Sequence, residues 1–378
     1  MGWRNYVVIV TLAMIVVISV YPQRYAAQKR VSRLQTPLTP LTPMTWSDEE
    51  GAFMVELRVG KGMVSFVLDT GSGEVAAKGW GCVWEHCDGS GCESKSCPCG
   101  LTASGRPKAV CDVYIPSSNF PLSDAFVTRY GSQNNTVEPF PDVLSLPTQA
   151  VHCADLMGGS SQTPVMDTEY AVVVHRVSRI DGSSSSNLLG TSRPTPSFLT
   201  SAWSLTLYNH IGWLARTPLS CFQPMYTPLL SPRAFRDYQT QFYLVGVDAL
   251  YVGEDTTLLR LVEPSATPSY LLIDTGTTFT YFNTKVGEAL DAAGFDERVS
   301  MLRFCLRGGV QLTYSAAQLR DPDNHAISIV HAWPGRTFDD FDTFFPADIN
   351  VCLFGITLMK NLYWEFDTAK QRLGIASV

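Results

Sequence analysis

Strand-like patterns dominate this chain, and helical spacing is confined to one short stretch. Phe53-Met54-Val55-Glu56-Leu57-Arg58-Val59-Gly60 alternates apolar and polar side chains, which predicts a strand buried on one face. Phe66-Val67-Leu68 and Leu271-Leu272-Ile273 are unbroken apolar runs, each ending in a turn signal, and read as fully buried strands. Residues 303–314 read as strand, turn and strand around Gly308-Gly309. Asn283-Thr284 form a helix-capping pair, Val286, Ala289, Leu290 and Ala293 follow at helical spacing, and Gly294 ends the run. Residues 321–345 are polar and irregular, and no element is predicted there.

The two buried runs share their endings. The first enters Asp69-Thr70-Gly71-Ser72 and the second Asp274-Thr275-Gly276-Thr277, an internal repeat 205 residues apart. In each copy the glycine allows a tight turn that presents the acid at the strand end. Two carboxyls brought to one spot cannot both ionise, so they share a proton and can work as a base and an acid on a bound water. Ser72 and Thr277, three residues after the acids, are placed to hydrogen-bond the outer carboxylate oxygens. Thr70 and Thr275 are expected to point inward and tie the loops together.

The composition narrows the setting. A chain of 378 residues with 45% apolar and 17% charged residues can bury two substantial cores and is not a disordered polymer. Its net charge of −7 disfavours nucleic acid as a partner. With no basic patch or glycine-rich phosphate loop, no nucleotide chemistry and no cofactor are expected. Residues 6–21 are almost wholly apolar behind Arg4, but shorter than the ~20 residues of a comfortable membrane-spanning helix. Arg24, Lys29, Arg30 and Arg33 follow, which favours a cleaved secretory signal over a retained anchor. In Thr36-Pro37-Leu38-Thr39-Pro40-Leu41-Thr42-Pro43 the spaced prolines predict an extended spacer.

Six of the ten cysteines crowd between Cys82 and Cys111, namely Cys82, Cys87, Cys92, Cys97, Cys99 and Cys111. Paired C-x-x-C spacing is missing and His86 adds little, so no metal is expected. Behind a secretory segment an even number of cysteines, with Cys153, Cys221, Cys305 and Cys352, reads as disulfides. Asn134-Asn135-Thr136 is a glycosylation sequon, with Asn134 the acceptor.

Further motifs accompany the repeat. Leu188-Leu189-Gly190 and Leu353-Phe354-Gly355 follow the two acid loops, and Phe242-Tyr243-Leu244-Val245-Gly246-Val247 precedes the second. The chain ends with Asn361-Leu362-Tyr363-Trp364-Glu365-Phe366-Asp367 and Arg372-Leu373-Gly374-Ile375-Ala376. Over residues 51–378 this set resembles the pepsin-like aspartic endopeptidases, and the cysteine-rich insert resembles their plant-type, nepenthesin-like branch.

The resemblance implies an all-β, two-lobed pepsin-like acid protease fold with the active-site cleft between the lobes. On that plan residues 1–21 are a signal peptide or signal anchor, and 22–47 a basic, proline-rich pro-segment or stalk. Residues 48–222 are then the N-terminal catalytic lobe and 223–378 the C-terminal one. Asp69 and Asp274 would hold the attacking water, supported by Thr70, Gly71, Ser72, Thr275, Gly276 and Thr277. Residues 125–132 resemble the flap that closes over substrate, which gives Tyr130, Gly131, Ser132 and Thr278 substrate-binding roles. The partner would be an extended peptide, met by a monomer in the secretory route: secreted, in an endomembrane or vacuolar lumen, or held to a membrane through residues 6–21. The resemblance also pairs Cys82 with Cys87 and Cys305 with Cys352, which leaves Cys153 for Cys221.

The chain departs from the family's pattern at Gly73, usually serine, and at Gln133, usually glycine. Ala76 stands where relatives place a tryptophan that hydrogen-bonds the flap, with Trp80 nearby, and Ser183-Ser184-Ser185-Ser186 are inserted. These departures leave a catalytically weak or inactive pepsin-like binding or inhibitor protein as the alternative.

Overall fold

The computed structural model describes residues 38–48, 50–88, 91–96, 113–130, 133–156, 164–181, 187–230, 242–254, 257–262, 269–282, 286, 292, 301–315, 318, 330–332 and 350–378. Within them the protein is all-β: a 14-stranded sheet and an 8-stranded sheet. The helical pieces among them are the 3-10 turn Cys153–Asp155 and the single turn Ile356–Met359, with Val286, Ala292 and Gln318 also helical. Val286 and Ala292 fall in the predicted helix, and the rest of it lies outside the described residues. No helix among the described residues is long and apolar enough to cross a membrane, and residues 6–21 are not among them.

The alternating run forms the strand Ala52–Val59, with Phe53, Val55, Leu57 and Val59 buried. It pairs antiparallel with Gly62–Asp69, whose last four residues are all buried. The second apolar run forms Ser269–Asp274 in the smaller sheet. In each sheet the acid-bearing strand has a parallel neighbour. Leu188–Gly190 runs beside Gly62–Asp69, so that Asp69 faces Gly190; Asn350–Gly355 runs beside Ser269–Asp274, so that Asp274 faces Gly355. Met301–Leu306 and Gln311–Ser315 form the hairpin expected around Gly308-Gly309.

One hydrophobic core runs through both sheets. Its bridge is the strand Leu362–Asp367, buried at Tyr363 through Asp367. Phe366 stacks on Trp203 at 4.2 Å within the larger sheet, while Trp364 meets Phe354 of the smaller sheet at 6.0 Å. Aromatic side chains bury the largest areas, so this strand binds the two halves with few residues.

Strand pairing crosses two of the sequence-based boundaries. Thr39–Ser47, read as the end of a spacer, is a strand paired with Ala52–Val59, Ile211–Ala215 and Gln133–Val151. Leu41 and Met44 are buried there, because the proline-rich segment carries apolar residues that reach the core. The division at 222/223 does not separate the sheets either. Met225–Pro228, Leu362–Asp367 and Arg372–Ser377 all belong to the larger sheet.

The cysteines also differ from expectation. Cys153 and Cys221 are bonded, as anticipated. Cys305 and Cys352 are both free. On Met301–Leu306, Leu302, Phe304 and Leu306 turn inward and Cys305 turns outward, whereas Cys352 lies in the core. Cys82 is disulfide-bonded, but a Cys82–Cys87 loop is excluded by the backbone. Both lie on the strand Val75–Asp88, where five extended residues span about 16 Å, far beyond the ~7 Å limit for a bridge. The hairpin Val75–Asp88 with Gly91–Ser96 instead sets Cys87 opposite Cys92. Cys97, Cys99 and Cys111 lie outside the described residues.

The Cys153–Cys221 bridge closes a 68-residue separation beside Phe222, which stacks on Tyr363 at 4.3 Å. Replacing both cysteines with serine is expected to cost roughly 2–4 kcal/mol of stability by loop-closure entropy, measured by urea unfolding.

Candidate active site

Both acid loops leave their strands at matching points and are bonded to each other. Thr70 donates its N–H to Thr275 Oγ1 at 3.0 Å, and Thr275 donates its own to Thr70 Oγ1 at 2.9 Å. Each hydroxyl then donates across to the opposite strand: Thr70 Oγ1 to the Ile273 carbonyl at 2.8 Å, Thr275 Oγ1 to the Leu68 carbonyl at 2.6 Å. The inward threonines expected from the sequence are therefore a closed ring of four buried hydrogen bonds. Strand neighbours brace each loop from behind. Thr191 N–H donates to the Asp69 carbonyl at 2.8 Å and Ser192 N–H to the Ser72 carbonyl at 2.9 Å. In the other half Ile356 N–H donates to Thr277 at 2.8 Å, and Thr357 Oγ1 to the Thr278 carbonyl at 2.7 Å.

This sets each carboxyl against the opposite loop's glycine, close enough for the Asp274 charge to act on Asp69. Each accepts its own loop's glycine N–H, Gly71 to Asp69 Oδ1 at 2.7 Å and Gly276 to Asp274 Oδ1 at 2.9 Å. The glycines do more than turn the chain, since neither has a positive φ. A Cβ on Gly71 would lie 2.7 Å from Asp274 Cγ, and one on Gly276 2.7 Å from Asp69 Cγ. The missing side chain in each loop is the space that the other loop's carboxyl occupies.

The pair is not symmetric. Thr277 Oγ1 donates to Asp274 Oδ2 at 2.6 Å, as anticipated, while Ser72 Oγ is buried without a well-formed hydrogen bond. Asp69 is only 7% exposed and Asp274 is more open. Burial, then the Asp274 charge, push the Asp69 carboxyl well above the usual carboxylate range. The nearby Ser72 hydroxyl and, more weakly, the Gly71 N–H oppose that rise. The arrangement can hold one shared proton beside a water, which is what general acid and base work on a carbonyl requires.

The remaining candidates fall as follows. Phe126–Tyr130 pairs antiparallel with the start of Gln133–Val151, Tyr130 opposite Gln133, so the two strands form a hairpin. Gly131 and Ser132 lie outside the described residues, as do Ser183 through Ser186. Asn134 is exposed on the return strand. Ala76 is buried and Trp80, at 78% exposed, stands in solvent. Among the described residues no three His, Cys, Asp or Glu side chains gather as a metal site. Thr191, Glu74 and His175 were not singled out from the sequence. Thr191, directly after Leu188-Leu189-Gly190, carried the one local signal, whereas Glu74 and His175 become neighbours only through strand pairing.

No protein-family model matches the chain, and no curated protein matches it.

Two outcomes test this geometry. Thr70→Val leaves the Thr275 N–H and the Ile273 carbonyl without partners, at about 1–3 kcal/mol each, whereas Thr70→Ser is expected to lose much less in urea unfolding. The second concerns Asp69. Where its folded pKa is raised, the unfolded chain releases a proton that the folded one keeps, so stability falls as pH rises from the free carboxyl value toward the folded one. Asp69→Asn is therefore expected to raise the melting temperature at pH 7 and leave it unchanged at pH 3.

Proposed function

We propose that the protein is an aspartic endopeptidase that hydrolyses peptide bonds with a water held between Asp69 and Asp274. The observation that carries this reading is the pair of mirrored Asp-Thr-Gly loops, cross-bonded so that each carboxyl lies against the opposite loop's glycine. On this reading the chain is two-lobed, and the cleft between the lobes takes an extended peptide through backbone hydrogen bonds. The hairpin from Phe126 is its lid. The pair, titrating as a unit, takes a proton from the water as its oxygen attacks the scissile carbonyl carbon. The protonated member of the pair donates to the carbonyl oxygen. A proton then passes to the departing amine nitrogen as the carbon–nitrogen bond breaks, and no covalent enzyme intermediate forms.

The apolar residues 6–21 and the disulfide support a place in the secretory route, secreted or in an endomembrane lumen. The exposed sequon at Asn134 is compatible with glycosylation there.

The deciding experiment is cleavage of a mixed peptide library by the purified protein, beside Asp69→Ala and Asp274→Ala, at about pH 4. Peptides cut by the parent and by neither variant are the expected result, with activity falling toward neutral pH as the shared proton is lost. Silence from a folded parent, or a profile flat from acid to neutral, overturns the proposal and leaves the binding-protein alternative.

A further inference from the structure

A cluster beside the proposed site links the Asp69 loop to the hairpin through a third strand. Ala76 pairs in parallel register with His175 of the strand Pro164–Asp181, so the two side chains leave the same face. Ala76 is buried there, and the imidazole is only 14% exposed. Its ring meets Phe126 of the hairpin edge-on at 5.6 Å. Its Nδ1 lies 3.3 Å from Glu74 Oε2. That same oxygen accepts from Thr128 Oγ1 of the hairpin at 3.4 Å. Glu74 itself is two residues past Ser72, and its carbonyl accepts the Gly190 N–H at 2.9 Å. One carboxylate thus joins the acid loop, the hairpin and the imidazole.

Both contacts to Oε2 are long, and Nδ1 makes no well-formed hydrogen bond. A proton on Nδ1 turns its contact into a charge-assisted hydrogen bond, which settles near roughly 2.7–2.9 Å. The other charged residues on the surrounding strands are Lys78, Glu85 and Asp88 on one neighbour, Glu138 and Asp142 on the other, Asp167, Glu169, Arg176, Arg179 and Asp181 on its own, and Arg129 on the hairpin. Glu138 pairs with Arg176, so Glu74 is the carboxylate at ion-pair distance from the imidazole among the described residues.

We propose, resting on the reading of the hairpin as the lid of a peptide cleft, that Glu74 and His175 form an acid-strengthened latch. They are positioning residues: they hold the lid to the Asp69 loop, and hold it tighter once His175 is protonated.

Hydrogen exchange of the amides between Val127 and Thr136 tests the latch without requiring any activity. Protection, corrected for the intrinsic pH dependence of exchange, is expected to rise several-fold in the full-length protein between pH 7.5 and 5. His175→Gln and Glu74→Gln are expected to abolish that rise, and Thr128→Val to lower protection at both pH values. An equal rise in His175→Gln overturns the latch; should the buried variants not fold, unchanged protection in Thr128→Val overturns it alone. If the parent cleaves peptides, His175→Gln is expected to raise KM several-fold at pH 5 with kcat changed less. If the parent cleaves none while the exchange result holds, the latch stands and the peptidase reading falls.

Discussion

Thr70 and Thr275 each receive a hydrogen bond from the other's backbone and pass one on to the end of the other's strand. Every donor in this ring has an acceptor, and both threonines are buried, so water cannot replace a lost partner. The ring determines where two strands from different sheets end relative to each other. Two features of the site depend on that separation: the fit of each carboxyl against the opposite glycine, and the asymmetry of burial between Asp69 and Asp274. A hydroxyl that both donates and accepts is the only small side chain chemistry able to close such a ring. Thr in place of Ser adds a stiff χ1, which keeps each oxygen aimed across the gap.

The ring holds together an arrangement that works against stability. A buried carboxyl facing a second acid raises the free energy of the folded state at any pH where the unfolded chain would ionise it. Strand neighbours offset this by bracing the loops: Thr191 and Ser192 behind the first, Ile356 and Thr357 behind the second. The core adds a second brace at longer range. Trp364 and Phe366, on one strand, reach the smaller and the larger sheet respectively, so displacing one half against the other would open aromatic packing on both sides. A buried, polar-satisfied framework of this kind can keep two acids close without a metal or a covalent link between them.

Much of this was legible in the residues because it follows from short-range rules. Apolar runs ending in Asp-Thr-Gly, alternation in Phe53–Gly60, and the Leu-Leu-Gly and Leu-Phe-Gly repeats all specify strands and their ends locally. The inward threonines and the Thr277 contact followed from the same duplication, since two like loops can meet only through like positions. The failures share a cause as well. Whether Thr39–Ser47 is a spacer or a strand depends on Leu41 and Met44 finding a core supplied by distant segments. Cys305 and Cys352 were matched by family habit, yet strand alternation turns one out and leaves the other in the core.

The sequence alone determined that the chain is β-rich, that it carries two equivalent acids at strand ends, and that hydroxyls stand beside them, because residue type and spacing set strand, turn and hydrogen-bonding capacity within a few residues. Only the tertiary structure decided which groups meet. The burial of Asp69, the glycine gaps filled by the opposite carboxyls, the return of the C-terminal strands into the larger sheet, and the meeting of Glu74, His175 and Thr128 all join segments tens to hundreds of residues apart. Such contacts are selected by the packing of whole sheets, which no local pattern encodes.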